Sequence, residues 1–308
     1  MRALAKEVAP GKAGRLPRTT SSLMPSIPCV NYHLWAPCNM QCRFCFAPFH
    51  DVRQSIPKGH LPEPDAARVV DALCAYGFEK VNFVGGEPML CPWLPNLLRV
   101  ARQAGVVTTM VTNGSRLTPE WLDRAGGALD WIGISMDSAS ADTHRSLGRS
   151  VRSAALSPDR YVELAALVRD RGIRLKVNTV VTTATAHEDM SDLILSMAPE
   201  RWKVFQVLPV AGQNDGSEDL WIEPDAFQSF VDRHARVNEA GVEMVPEPNG
   251  LMRGSYAMVD PAGRFFDNAG GGHAYSAPIL EVGVEQALSE VAINVERFEQ
   301  RGGAYNWA

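Results

Sequence analysis

Cys29-Val30-Asn31-Tyr32-His33-Leu34 runs through Trp35-Ala36 into Pro37-Cys38-Asn39-Met40-Gln41-Cys42-Arg43-Phe44-Cys45, and this join decides the fold. The first half is an apolar, strand-like run. The second half carries three cysteines in a C-x3-C-x2-C triplet, with no fourth cysteine at related spacing. Electron-carrying 4Fe–4S cubes take four cysteines, one per iron, so three thiolates leave one iron open for a ligand. Zinc is the alternative, with His33 nearby, but structural zinc sites pair one two-cysteine knuckle with a second one farther along, and none follows. Six cysteines in 308 residues, three of them within eight positions, are too sparse for a disulfide framework. Cys29, Cys74 and Cys91 sit in apolar surroundings and read as small buried residues.

Working outward from the triplet, short β-branched runs alternate with helical patterns. Strands are predicted at 29–34, 80–84, 106–112, 131–136, 174–181 and 203–208. Between them Ala67, Val70, Leu73 and Cys74 recur at helical spacing, as do Leu94, Leu97, Leu98 and Ala101, and then Tyr161, Leu164, Ala165 and Val168. The expected fold is α/β, a partial (β/α)6 barrel of the TIM type over residues 28–245. A C-terminal extension, 246–308, with a hairpin-like stretch at 256–266, is expected to close the substrate site. Ligand sites of such sheets lie at the carboxyl ends of the strands. The triplet, Gly85-Gly86-Glu87-Pro88, Asn113-Gly114 and Ser135-Met136-Asp137 all fall there.

The bulk composition excludes several classes. With 45% hydrophobic and 21% charged residues the chain can bury a large core. A net charge of −5 offers no general attraction to nucleic acid, and no apolar stretch reaches the roughly 20 residues of a membrane helix. Residues 1–27 carry Arg2, Lys6, Lys12, Arg15 and Arg18 against Glu7, with several prolines, and read as a flexible tail. A transit peptide has a similar composition, but the helical potential stops at Pro10. Free thiols without a secretory signal place the chain in a reducing cytoplasm.

Cations occur where they are costly. Lys80, Lys176 and Lys203 lie in or at the start of apolar strands, and parallel strands are covered on both faces. Alternation puts Asn82 on the face of Lys80 and Asn178 on the face of Lys176, pointing into the barrel. Buried ammonium groups require a compensating anion, and Arg201 adds a planar fork suited to phosphate. Together the four fit a triphosphate, and Asn31 and His33 share one face of the first strand within reach of it. The glycines of the GGEP turn let backbone approach a ligand, and Glu87 adds a carboxylate able to receive an ammonium group.

The triplet, the aromatic Phe44 before its third cysteine and the GGEP turn together resemble the radical S-adenosylmethionine (SAM) superfamily. That resemblance implies a 4Fe–4S cluster on Cys38, Cys42 and Cys45. It also implies SAM held by Phe44, Gly85, Gly86, Glu87, Asn113, Ser135 and Arg149. More narrowly, Val30-Asn31-Tyr32-His33, Glu79-Lys80-Val81-Asn82-Phe83, Lys176-Val177-Asn178, Arg201-Trp202-Lys203-Val204-Phe205-Gln206, Ser255-Tyr256 and Arg301-Gly302-Gly303-Ala304-Tyr305 are similar to segments of the viperin-like enzymes. These matches run from about residue 29 to 307.

The family converts a ribonucleoside triphosphate into its 3′-deoxy-3′,4′-didehydro analogue, an antiviral chain terminator. The resemblance implies that activity here, with CTP ahead of UTP and GTP also open. It implies Tyr256 and Lys203 at the reacting sugar and an electron donor such as flavodoxin or ferredoxin, while the charge balance and the short, polar, Pro-interrupted tail lead to the expectation of no nucleic-acid or membrane partner. A family segment that orders over the terminal phosphate corresponds to the glycine-rich loop 269–272, which lacks the expected lysine or arginine. A radical SAM enzyme acting on a peptide or another small molecule is the alternative, although such enzymes typically carry further C-terminal cysteines and none follows Cys91.

Overall fold

The computed structural model describes residues 25–307. The predicted tail lies outside the described residues except for 25–27, of which Ile27 is buried. Ten strands form one sheet in the order β10-β9-β8-β1-β2-β3-β4-β5-β6-β7. In chain order they are β1 (Cys29–Trp35), β2 (Lys80–Gly85), β3 (Val107–Thr112), β4 (Trp131–Ser135), β5 (Arg174–Val181), β6 (Arg201–Gln206), β7 (Glu243–Glu247), β8 (Ala257–Val259), β9 (Arg264–Asp267) and β10 (Ala274–Pro278). The first seven are parallel, β8 joins them parallel to β1, and β9 and β10 continue antiparallel.

β5 shows why these residues make strands. Leu175, Val177, Thr179 and Val181 are buried, whereas Arg174, Lys176, Asn178 and Val180 between them are only half-buried. One face is apolar and the other polar, as a period of two dictates. The apolar face packs on helices α1 (Glu63–Tyr76), α2 (Leu94–Gln103), α3 (Pro119–Ala125), α5 (Pro158–Arg169), α6 (Ser191–Met197) and α7 (Pro224–Arg233), while α4 (Ala141–Ser146) lies between β4 and α5 in the chain and buries only His144. Leu175 and Val177 of β5 share a core with Leu97 and Leu98 of α2 and Leu164 and Val168 of α5. Each such side chain, fully buried, contributes about 1.5–3 kcal/mol. The hydroxyls of Thr118, Ser140 and Ser157 accept hydrogen bonds from the amides of Trp121, Thr143 and Arg160 and so start α3, α4 and α5.

The six predicted strands are present, each boundary within two residues. β6 begins at Arg201 because it pairs there with Glu243 of β7, and it ends at Gln206. β7, which crosses the predicted boundary at 245, was not expected from sequence, since Pro246 interrupts its pattern. The expected hairpin at 256–266 is formed by β8 and β9, turned at Gly263, whose φ of 75° favours glycine. β8 also pairs with β1, so residues after 246 extend the sheet, and Ala257, Val259, Phe265 and Ile279 enter the main core. Among the described residues no helix is long and apolar enough to cross a membrane.

Candidate functional site

A cavity of about 760 Å³ is lined by all three cysteines of the triplet and by the polar faces of the strands. Every sequence-predicted site residue reaches its wall except Glu87 and Arg201. The triplet loop is held as backbone: Gln41 and Arg43 amides donate to the carbonyls of Gly148 and Leu147 at 3.1 and 3.0 Å. Gly148 has φ +77°, and a Cβ there would overlap the Gln41 carbonyl oxygen. Gly85 and Gly86 serve the same loop, since a Cβ on either would overlap carbonyl oxygens of Trp35 or of Ala36 and Pro37. Their lack of a side chain lets β2 approach the base of the loop.

The three cysteines of the triplet are free thiols. Burial pushes the Cys38 thiol up to about 11 and the Cys45 thiol up to about 12, and raises Cys42 as well. Such thiols give up protons when a metal takes their place. Among the described residues no group of three or more His, Cys, Asp or Glu could hold a metal ion as arranged. Three thiols on one short loop facing one cavity fit donors to separate irons of a single cluster.

Glu87 departs from expectation. Its side chain is fully buried, one oxygen accepting from the Met89 amide and the Thr112 hydroxyl at 3.0 and 2.7 Å and the other from the Asn113 amide at 2.8 Å. Burial raises its pKa, and these donors oppose the rise. With three donors on its oxygens and its side chain away from the cavity wall, it sets the turn that presents Asn113. Asn113 then donates to Asn39 Oδ1 at 2.9 Å. Arg149 pairs through Nε with buried Asp137 and lies 5.7 Å over the Phe44 ring. Asp137 in turn accepts from the Val180 amide at 2.8 Å. Ser135, at the end of β4, faces the cavity beside them.

The strand starts build the opposite end of the cavity. Register places Asn31 beside Asn82, and Asn178 beside Lys203. Asn82 donates to Asn31 Oδ1 at 2.9 Å and accepts from Thr109 Oγ1 at 2.6 Å. Lys80 and Lys176 both donate to the Tyr305 hydroxyl. Burial, with Lys203 and two arginines near, pulls the Lys80 ammonium down to about 8 and Lys176 well below its usual value. Asn178 Oδ1 and both ring nitrogens of His33 are buried without a protein partner while their residues line the cavity. Buried polar atoms of this kind call for a ligand. His33 sits edge-on to Phe46, Phe49 and Phe266, and burial holds its pKa near 3, so it is neutral.

Arg201 is the second departure. Its guanidinium donates to Glu243 at 2.8 Å and to the Gly302 carbonyl at 3.1 Å, outside the cavity wall, because its strand position pairs with β7. Arg301 occupies the wall instead. It donates to the Ser255 hydroxyl and carbonyl at 2.9 and 3.0 Å and stacks 3.5 Å over the Tyr256 ring. Glu247, buried on β7, accepts from Tyr256 and pairs with Lys203 at 2.6 Å. Lys203 also donates to Tyr256 at 3.2 Å. Burial pushes the Glu247 carboxyl up, but Lys203 and Arg301 more than reverse this, whereas burial holds the Tyr256 phenol well above its ordinary value. Glu247 was missed from sequence because β7 was. The glycine-rich loop packs on Ala211, whose amide donates to Gly271 at 2.8 Å, and only Asn268 before it reaches the cavity.

Residues 35–196 match the family model of the radical SAM superfamily. An S-adenosylmethionine-dependent nucleotide dehydratase from Flammeovirga pacifica is 47% identical over 285 residues, covering 91% of this chain and 96% of its own length. A relative of the same name from Lacinutrix mariniflava is 47% identical over 290 residues and covers 93% of this chain, which spans only 60% of that longer protein. Streptococcus suis SuiB bound to S-adenosylmethionine aligns with a TM-score of 0.61 at 17% identity, over 79% of this chain and 61% of its own, a likeness of fold. The chain therefore belongs to the radical SAM superfamily, whose cofactors are a 4Fe–4S cluster and SAM, and within it to the viperin-like family of SAM-dependent nucleotide dehydratases.

Proposed function

We propose that this protein dehydrates a ribonucleoside triphosphate, CTP ahead of UTP with GTP also open, to its 3′-deoxy-3′,4′-didehydro analogue. The observation that carries this reading is one cavity with three cysteines at one end and Lys80, Lys176, Lys203 and Arg301 at the other. The names of the relatives support a nucleotide as the substrate. When bound, the cluster and SAM would supply a carbon-centred radical able to take the 4′ hydrogen of the sugar, with SAM consumed as cosubstrate.

The chain's own residues do the rest. Cys38, Cys42 and Cys45 hold the cluster, while Phe44, Asn113, Ser135 and Arg149, with the backbone of Gly85 and Gly86, surround SAM. Lys80, Lys176, Asn82 and Asn178 hold the phosphates, and Asn31 and His33 face the nucleoside. Loss of the 3′ hydroxyl as water takes one proton and one further electron. Tyr256, still protonated and linked to Lys203 and Glu247, is suited to deliver the proton at the sugar. The electrons come from a flavodoxin- or ferredoxin-type donor. Free thiols favour a reducing cytoplasm, and a net charge of −5 argues against a nucleic-acid partner.

Anaerobic turnover of the reconstituted enzyme with SAM, dithionite and each of CTP, UTP, GTP and ATP tests this. One nucleotide is expected to stimulate 5′-deoxyadenosine release and to yield a product one water lighter. Slow background cleavage with all four would sink the nucleotide reading and turn attention to a peptide or other small substrate.

A further inference from the structure

Lys80 and Lys176 differ from every other well-buried cation of the site in having no carboxylate. Arg149 has Asp137, and Lys203 and Arg301 share Glu247. Lys80 and Lys176 have aromatic rings instead. Lys80 Nζ lies 4.6 Å from the Tyr305 ring centre and 4.3 Å from that of Trp307. Lys176 Nζ lies 4.6 Å from Trp131 and 4.7 Å from Tyr305, and both ammonium groups donate to the Tyr305 hydroxyl. The rings brace one another: Trp131 donates to the Trp307 carbonyl at 3.1 Å and meets Tyr305 edge-on at 5.8 Å. Ring faces and a phenol attract a cation but carry no charge, so they hold it without cancelling it. A carboxylate in the same place would neutralise it.

We infer that Tyr305, backed by Trp131 and Trp307, is a positioning residue for the phosphate end of the cavity, holding the ammonium groups of Lys80 and Lys176 toward the ligand while leaving their charge for it. This rests on the nucleotide reading and assigns the last described residues a role in it. On arrival of the triphosphate, its oxygens replace the Tyr305 hydroxyl as acceptors for both lysines, and the rings remain as the floor beneath them. The groups facing Lys80 are Cys29 from β1, Lys176 from β5, Arg201 and Lys203 from β6, and Arg301 and Tyr305 from the C-terminal segment. None is a carboxylate, so burial and mutual repulsion lower the pKa of both lysines and no carboxylate pairs with either before an anion arrives.

The test is calorimetric titration of the reconstituted enzyme with inorganic tripolyphosphate and, separately, with SAM. Tyr305→Glu is expected to weaken tripolyphosphate binding about 30-fold by pairing the lysines internally, with SAM affinity unchanged. Tyr305→Phe, which keeps the ring and loses the acceptor, is expected to weaken it about threefold. Wild-type affinity should fall from pH 7 to pH 9 as Lys80 loses its proton near 8, and Tyr305→Glu should flatten that profile.

Wild-type-like tripolyphosphate binding by Tyr305→Glu would overturn the inference and leave the nucleotide reading standing. Should that variant not fold, unchanged affinity in both Tyr305→Phe and Trp307→Ala would overturn it instead. A wild-type enzyme that takes up neither tripolyphosphate nor any nucleotide would remove the nucleotide reading and the floor together.

Discussion

The two ends of the cavity are built in opposite ways. The cysteine end is backbone work: a short loop hung on the carbonyls of Leu147 and Gly148, with glycines at 85, 86 and 148 where a Cβ would collide. The cation end is side-chain work: lysines from the starts of β2 and β5, from within β6, a carboxylate from β7, and rings from the C-terminal segment meet in space. The first tolerates change in side chains away from its thiols and none in backbone. The second rests on charges drawn from distant parts of the sequence, and its tolerance depends on whether each charge keeps its partner.

The largest test of this contrast is Cys42→Ala. It is expected to lose the iron of the reconstituted protein and to lower SAM cleavage by about three orders of magnitude, measured by iron assay and 5′-deoxyadenosine release. At the other end, Glu247→Gln leaves Lys203 and Arg301 facing a neutral amide. Breaking such a buried pair costs about 3–5 kcal/mol, and urea unfolding of the nucleotide-free protein should show it. Stability within about 1 kcal/mol of wild type would mean that the pair contributes little to holding the fold.

Gly148→Ala comes next. The triplet loop must shift, at a cost of about 2–3 kcal/mol, with lower iron retention but unchanged tripolyphosphate affinity. Iron content equal to wild type would show that the loop does not depend on that close approach.

The smallest effect is on pH. The Lys80 pKa is lowered to about 8 in the folded protein, so the unfolded chain binds more protons above neutrality and stability rises with pH. Between pH 7 and 9 the gain is about 1 kcal/mol. Saturating tripolyphosphate should abolish the gain, because an anion restores the Lys80 proton. An unfolding midpoint that falls over this interval would contradict the burial assigned to Lys80.

The same contrast explains what could be read from the sequence. The cysteine end lies in contiguous motifs, so Cys38, Cys42, Cys45 and the turns after β2, β3 and β4 were legible from spacing and alternation. Lys80, Asn82, Lys176 and Asn178 were legible too, because a cation inside an apolar strand is conspicuous and period two fixes its face. Arg201 was misplaced because its partner Glu243 sits on a strand hidden by Pro246, and the same strand hid Glu247. Glu87 was read as facing a ligand because nothing local reveals that the hydroxyl of Thr112 and the amide of Asn113 turn back to it. Tyr305 lay in a segment recognised by resemblance, but its meeting with Lys80 and Lys176 depends on where the chain end packs, which no local pattern encodes.

The pairing of β1 on both sides has a consequence for biosynthesis. One edge of β1 is covered by β2, but the other waits for β8, which is not made until Ala257. At ordinary elongation rates this leaves that edge open on the ribosome for about 10–45 s. The strand that leads into the cysteine loop is then exposed to the edge-to-edge association that such strands invite. The loop's own backbone anchors, Leu147 and Gly148, are made well before that edge closes, so it is the strand edge that waits for β8. Expression temperature and chaperone supply should therefore govern the yield of folded protein.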